Sequence, residues 1–346
     1  MRIIHTALRS ILMICVLSTV SAHTWGQTIN EAPNILQLAS DPFIVRTLYA
    51  HPGTLLPDSK IAVSGAVGHN KDYEEGKVSD WYIEAQRDGS YLVQAGVVMQ
   101  DRSQIEKGLK ILKWGFGKQA PDGSFPGSMI PYHSTSLYIE ACGRAALIIQ
   151  QSGIQGFEAD VAELIAHSRM AIGWMLEPAV EVKGQKSNSP YCHKHYLVAA
   201  AFAQTYQLSK DIKFLETAKR YLVEGLACQD ENGINPEKGG FDVNYQAVGI
   251  IFAEEIYALH LFPDLEQPLQ KMIHRGLDWE LSRLKPDGSL DTEGSTRDGK
   301  ERGTSGKIKE PDYPRVLLAF KYGEIITGEH KFGRAAMSIA QFKKLI

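Results

Sequence analysis

The chain has 346 residues, 37 Lys and Arg against 40 Asp and Glu, and a formal net charge of −3. Balanced charge without a Lys/Arg block or an acidic tail excludes the concentrated cationic surface on which nucleic-acid binding depends. The length suffices for one large domain or two ordinary ones.

Taken in chain order, the first feature is Arg2 and Arg9 flanking a short apolar run over 10–20, followed by Val20-Ser21-Ala22. This predicts a secretory signal peptide over 1–22, because the run is too short for a bilayer anchor. The mature chain, 23–346, is then expected to be a single secreted or periplasmic domain with no membrane association. Cys142, Cys192 and Cys228 remain after removal of the signal, an odd number at wide spacing. They indicate no disulfide framework or zinc pattern and read as buried small hydrophobes.

The region 28–78 is irregular apart from a short helix predicted at 42–50. From residue 79 helical periodicity dominates, and helices are predicted at 79–99, 103–116, 134–151, 158–175, 190–208, 210–227, 243–260, 267–284, 313–327 and 331–345. In 210–227, Ile212, Leu215, Ala218, Tyr221 and Leu222 recur at spacings of three and four, as one buried face requires. No series of alternating strands appears.

Connections alternate between short and long. The long ones are 117–133, 176–189, 228–242 and 285–312. Helical hairpins set in a ring would place every long loop on one face. The expectation is therefore an all-α fold, an α/α toroid of five to seven hairpins with a substrate site on the long-loop face. A loose repeat supports it: Gln119-Ala-Pro-Asp-Gly-Ser-Phe125 is echoed by Lys285-Pro-Asp-Gly-Ser-Leu290, with Asp230-Glu-Asn-Gly233 in the equivalent place.

Each long loop delivers the chain into a helix N-terminus, where chemically capable residues gather. Ser189 is a natural N-cap with Pro190 at the first helical position, surrounded by Asn188, Tyr191, His193, Lys194 and His195. Asp242 can cap a helix that opens with Asn244 and Tyr245. The other starts contribute Trp81 and Tyr82, His133, and Arg302, Tyr313 and Arg315. Their helix dipoles favour an anionic ligand. His193 and His195, two apart on a helix, point different ways, so one at most is catalytic; the spacing of seven from Asn188 puts His195 ahead. The bland readings are that Asp242 is only a cap and that Trp81, Tyr82 and Tyr132 pack rather than stack on sugars.

β-Elimination of a uronate glycoside needs a neutralised carboxylate, a base for the C5 proton and an acid for the leaving O4. Asn188, His193 or His195, and Tyr245 supply that set, with a late arginine, Arg302 or Arg315. Hydrolysis instead needs two carboxyls flanking the scissile bond. Asp80, Glu84, Asp122, Asp242, Glu310 and Asp312 are candidates marked only by turn or cap positions.

Through Asn188-Ser-Pro-Tyr-Cys-His-Lys-His-Tyr196 and Gly239-Gly-Phe-Asp-Val-Asn-Tyr-Gln-Ala247, the chain resembles the α/α-toroid polysaccharide lyases, particularly those degrading alginate or glucuronan. The resemblance implies an anionic polysaccharide substrate, Asn188 as carboxylate neutraliser, and His193 or His195 with Tyr245 as base and acid. Trp81, Tyr82, His133, Tyr191, Asp242, Asn244, Arg302, Tyr313 and Arg315 are the expected substrate-binding residues. The 119–125 motif also looks like the repeat of class II terpene cyclases, but no Asp-x-Asp-Asp motif accompanies it. A glycoside hydrolase of the same fold and a non-catalytic glycan-binding protein are the alternatives. No organic cofactor or metal is required. Asp230, Glu231 and Asn232 offer oxygen donors for a structural calcium ion, in an order that matches no known calcium loop.

Overall fold

The computed structural model describes residues 33–303 and 306–346; the expected signal peptide at 1–22 lies outside them. The described residues are all-helical, with isolated backbone bridges but no strand, and Pro33–Ile346 forms one compact unit. No helix among them is long and apolar enough to cross a membrane.

The chain opens with α1 (Ile35–Ala39), α2 (Pro42–Ile44, continuing as a π turn to Tyr49) and α3 (His69–Glu74). Ten longer helices follow as five hairpins: α4 (Asp88–Met99) with α5 (Arg102–Phe116), and α6 (Pro131–Ser152) with α7 (Glu158–Met175). After the additional α8 (Pro178–Asn188) come α9 (Cys192–Ser209) with α10 (Ile212–Cys228), α11 (Val243–Tyr257) with α12 (Glu266–Ser282), and α13 (Tyr313–Thr327) with α14 (His330–Phe342).

The first member of each hairpin packs on the first member of the next, so that α4, α6, α9, α11 and α13 form a continuous series of neighbours. Their composition explains this. In α9 every residue from Cys192 to Thr205 except His195 is buried, as in a helix covered on all sides, whereas α10 buries one stripe of Phe214, Thr217, Ala218, Tyr221, Leu222 and Gly225. A buried polar layer joins these five helices. Arg144 (α6) donates to Gln94 (α4) at 3.1 Å and pairs with Glu140 (α6) at 2.8 Å and Glu255 (α11) at 3.2 Å. Gln204 (α9) donates to both glutamates, and Gln94 reaches the Tyr322 hydroxyl (α13) at 3.3 Å.

The echoed turns act as staples. Gln119 donates to the carbonyls of Gly123 and, on α7, His167; Gln229 does the same to Gly233 and, on α12, Met272. Gly123, Gly233 and Gly288 all have positive φ, and a Cβ on Gly123 would lie 2.0 Å from the Met170 carbonyl oxygen. Asp122, Asp230 and Asp287 accept backbone N–H bonds within their own turns. Asp230 is thereby engaged in shaping its turn, and no group of three potential metal ligands is found among the described residues. Gly123→Ala should destabilise the fold by more than about 1 kcal/mol, because strained φ and the clash with α7 act together; a urea midpoint unchanged from wild type would refute the staple.

Three local expectations need correction. The helix predicted from 79 starts later, as a 3₁₀ turn at Ile83–Arg87 before α4. Trp81 and Tyr82 stay extended because their backbone groups have tertiary partners: Met129 N–H donates to the Trp81 carbonyl at 3.0 Å and Tyr82 N–H to Asn70 at 2.9 Å. The loop expected at 176–189 contains α8, which buries little besides Gly184, set against the Tyr132 ring, and Asn188. A polar helix with so narrow a buried face leaves no periodic signal. Ser189 consequently ends α8 instead of capping α9, whose N-cap position is Tyr191. Cys142, Cys192 and Cys228 are all free thiols, the first two buried.

Candidate active site

The short connections, such as 100–101, 210–211 and 328–329, join first to second helices within hairpins, and the long ones all lead into the first helix of a hairpin. The N-terminal turns of α6, α9, α11 and α13 and the 3₁₀ turn before α4 therefore meet around a cavity of about 120 Å³. Its lining includes Glu84, Arg87, Tyr91, His133, Arg144, His193, Tyr245, Glu255 and Arg315. Tyr91 and Arg315 also border a larger cleft of about 530 Å³, whose other walls include Leu55, Leu56, Lys60 and Asp88.

Two loops build the wall beside α9 and α11. Cys192 N–H donates to the Pro236 carbonyl at 3.1 Å and Lys238 N–H to that of Pro190 at 2.9 Å, which sets Glu237 against the start of α9. Glu237 Oε2 then meets His193 Nδ1 at 2.8 Å, both side chains being buried. Asp242 caps α11 by accepting from Tyr245 N–H at 3.0 Å. Its other oxygen accepts from Ser295 Oγ, Arg297 N–H and Asp298 N–H at 2.6, 3.1 and 2.8 Å. One carboxylate thus fixes the 283–312 loop onto the first turn of α11 and delivers Arg297 to the site. The Arg297 guanidinium lies 3.9 Å from the Tyr245 ring centroid and pairs with Glu237 at 2.7 Å and Glu301 at 2.9 Å. Lys309 Nζ is 3.4 Å from the Tyr245 hydroxyl and 3.1 Å from Glu301. The Tyr245 ring also packs against the His193 ring, 4.6 Å between centroids.

The electrostatics follow from burial and this web of cations. His193 titrates below its ordinary range because burial outweighs the Glu237 carboxylate, and His133 falls well below through burial and the nearby Lys194. Both are neutral at pH 7. With Glu237 accepting from Nδ1–H, the His193 proton sits there and Nε2 keeps its lone pair. Burial also lowers Lys194 to about 8, against the opposing pull of Glu237. Glu301, despite partial burial, is held at about 2 by Lys238, Arg297 and Lys309. Burial and Asp242 push Asp298 up to about 6.

Of the residues singled out from sequence, the structure gathers Glu84, His133, His193, Tyr245 and Arg315 around the cavity, with Tyr191 beside them, its ring 6.1 Å from His193. Others stand elsewhere. His195 faces α10, its Nδ1 at 3.3 Å from Glu224 without hydrogen-bond geometry. The sequence spacing ranked it above His193 on the premise of one continuous helix from Asn188, and that helix is broken at 189–191. Asn188 ends α8, buried and with its side-chain amide unpartnered, and does not line the cavity. Trp81 is buried edge-on against Trp114, and Tyr82 packs on His69; neither lines the 120 Å³ cavity or the 530 Å³ cleft. Asp242 is the loop anchor, and Asn244 N–H donates to Asp298 at 3.2 Å. Arg302 is exposed and bonds the Gly306 carbonyl, while Tyr313 packs on Phe342. Sequence reasoning missed Arg297, Glu237, Arg87 and Tyr91. Arg297 and Glu301 stand at i,i+4 in a loop otherwise full of turn residues, which is the only local hint of their pairing.

No protein-family model matches the sequence, and a search of curated proteins finds no match. Among solved structures the chain is similar to the Lin0763 protein from Listeria innocua, at 13% identity over 92% of this chain and 89% of that one, with a TM-score of 0.46.

Proposed function

We propose that the protein is a polysaccharide lyase that cleaves a uronate-containing glycan of the alginate or glucuronan type by β-elimination, on an α/α toroid made of the five hairpins. The neighbour series of inner helices and the polar layer joining α4 to α13 support the toroid reading. The observation that carries the lyase reading is the pairing of Tyr245 with neutral His193 in a cavity walled by cations.

In this reading His193 Nε2 takes the C5 proton of the uronate. The electrons of that C–H bond form the C4=C5 double bond, the C4–O4 bond breaks, and the Tyr245 hydroxyl donates its proton to O4. Arg297 and Lys309, beside the Tyr245 ring, offset negative charge building on the reacting sugar. Glu237 holds the His193 tautomer that makes Nε2 basic.

A hydrolase would need two carboxyls with a glycosidic bond between them, about 5 Å apart or more. Three carboxyls line the cavity: Glu84, which accepts from Ser134 at 3.0 Å, and the pair Glu140 and Glu255, whose acidities diverge because burial and Glu140 push Glu255 well up, whereas Arg144 keeps Glu140 below its ordinary range despite burial. Glu140 and Glu255 are hydrogen-bonded to each other and share Arg144, which leaves no room for a sugar linkage between them, so a hydrolase would have to use Glu84 with one member of that pair.

The test is to incubate the protein with alginate, glucuronan, pectate and glycosaminoglycans while following ultraviolet absorbance. Elimination leaves a C=C conjugated to the carboxylate, so absorbance should rise with one of the uronate polymers. New reducing ends without absorbance would identify a hydrolase and discard the lyase. Binding without either product would leave a glycan-binding protein.

A further inference from the structure

The hairpin of α9 and α10 turns at 210–211, so Cys192, the first residue of α9, stands beside Cys228, the last of α10. The two helices approach closely there. Gly225, one turn before Cys228, lets α10 reach the Tyr196 ring, and a Cβ at Gly225 would lie 2.9 Å from Tyr196 Cε1. Cys192 Sγ lies 3.8 Å from the Gly225 carbonyl oxygen and 3.7 Å from Asn235 Oδ1, and its thiol also hydrogen-bonds that of Cys228. One S–H thus faces three acceptors, and sulfur is a weak donor to each. Cys142, the third thiol among the described residues, is buried in α6 and bonded to Tyr138. Cys192 is buried and Cys228 half-buried. Reactivity divides the same way. By donating to the Cys228 sulfur, Cys192 holds that thiol below its ordinary range despite burial, while the same bond and burial push Cys192 up. The thiolate, the attacking form, therefore belongs to the sulfur that solvent reaches.

We propose that Cys192 and Cys228 are the site of a disulfide bond that ties the start of α9 to the end of α10. This inference rests neither on export of the chain nor on the lyase reading. The Cys228 thiolate attacks an external disulfide, such as glutathione disulfide, forming a mixed disulfide and releasing one thiol. Cys192 then loses its proton and attacks Cys228 Sγ; the bond between the two protein sulfurs forms and the second external thiol leaves. Two electrons and two protons pass from the protein thiols to the external disulfide, which becomes two thiols. The bond braces the wall of the candidate site. The 229–242 loop leaves from Cys228 and returns against Cys192, whose N–H donates to the Pro236 carbonyl at 3.1 Å. The next residue on each segment, His193 and Glu237, forms the 2.8 Å pair at the cavity. The covalent loop from 192 to 228 is also long enough to restrict the unfolded chain substantially.

The test exposes full-length protein carrying Cys15→Ser to glutathione disulfide or to dithiothreitol, then alkylates the remaining thiols after denaturation and locates them by peptide mapping. The oxidised protein should yield Cys192 and Cys228 in one cross-linked peptide, with Cys142 alkylated. Its thermal midpoint should exceed that of the reduced protein by roughly 5 °C. Amides of the 229–242 loop should exchange more slowly in the oxidised form. Adding Cys228→Ser should remove the cross-link and leave one midpoint, near that of the reduced protein, under both treatments. Cys142→Ala should keep the cross-link and the difference between oxidised and reduced midpoints, whatever it does to their absolute values. Glutathione held on Cys228 without transfer to Cys192, a bridge involving Cys142, or equal midpoints for the oxidised and reduced protein would overturn the proposal. None of these readouts depends on catalytic activity, so failure of the bond and failure of the lyase reading are separate results.

Discussion

Tyr245→Phe is expected to lower the rate of unsaturated-product formation by about 10²–10⁴-fold, the range over which a positioned proton donor acts. Phenylalanine keeps the ring that Arg297 covers at 3.9 Å and His193 packs against at 4.6 Å, so the site retains its shape. What disappears is the hydroxyl, with its 3.4 Å contact to Lys309. The loss should therefore appear in kcat, with KM and the unfolding midpoint close to wild type. Initial rates from ultraviolet absorbance over a substrate series measure both constants. A kcat within a few-fold of wild type would take Tyr245 out of the chemistry and shift the donor role to another group on the cavity wall.

The second large effect is expected at Asp242. Its carboxylate is buried and accepts four hydrogen bonds, one from the first turn of α11 and three from Ser295, Arg297 and Asp298. Asp242→Ala removes a helix cap and leaves buried donors without an acceptor, together worth about 3 kcal/mol. It also frees the segment that carries Arg297, so activity should fall more than the change in folded fraction explains. Asp242→Asn retains one acceptor oxygen and should lie between the two. Urea denaturation and activity measured well below the midpoint separate these contributions. An alanine variant of wild-type stability would mean that the 283–312 loop is held by other contacts, such as the Thr296 N–H bond to the Phe241 carbonyl at 2.8 Å.

Much of the helical framework is legible in the sequence, because helix formation and burial leave a local record. The stripe of α10 and the all-round apolarity of α9 are patterns of residue type that by themselves distinguish a helix buried along one face from one buried on all sides. The Asp-Gly turns also announce themselves, and the fold supplies the physical reason for the repeat: the same Gln-to-carbonyl staple recurs before α6 and α11. Where local pattern and tertiary contact disagree, contact prevails. Trp81 and Tyr82 fit a helix by periodicity, yet Asn70 and Met129 satisfy their backbone groups in an extended form. In α8 the burial that would produce a pattern is almost absent.

The site divides along the same line. Tyr245 behind its Asp242 cap and His193 near the start of α9 are readable from sequence, since cap chemistry and helix phase are short-range properties. Choosing between His193 and His195 requires knowing which side of α9 faces the cavity, and a break of three residues before the helix is enough to mislead the count from Asn188. Arg297 meets Glu237 across 60 positions in the chain, and Lys309 meets Tyr245 across 64. The order of residues specifies most of the helices, their turns and the kinds of side chain offered at each helix start. Which of those side chains share a cavity is settled in three dimensions, because charge pairing and burial act through space, and chain separation carries no record of them.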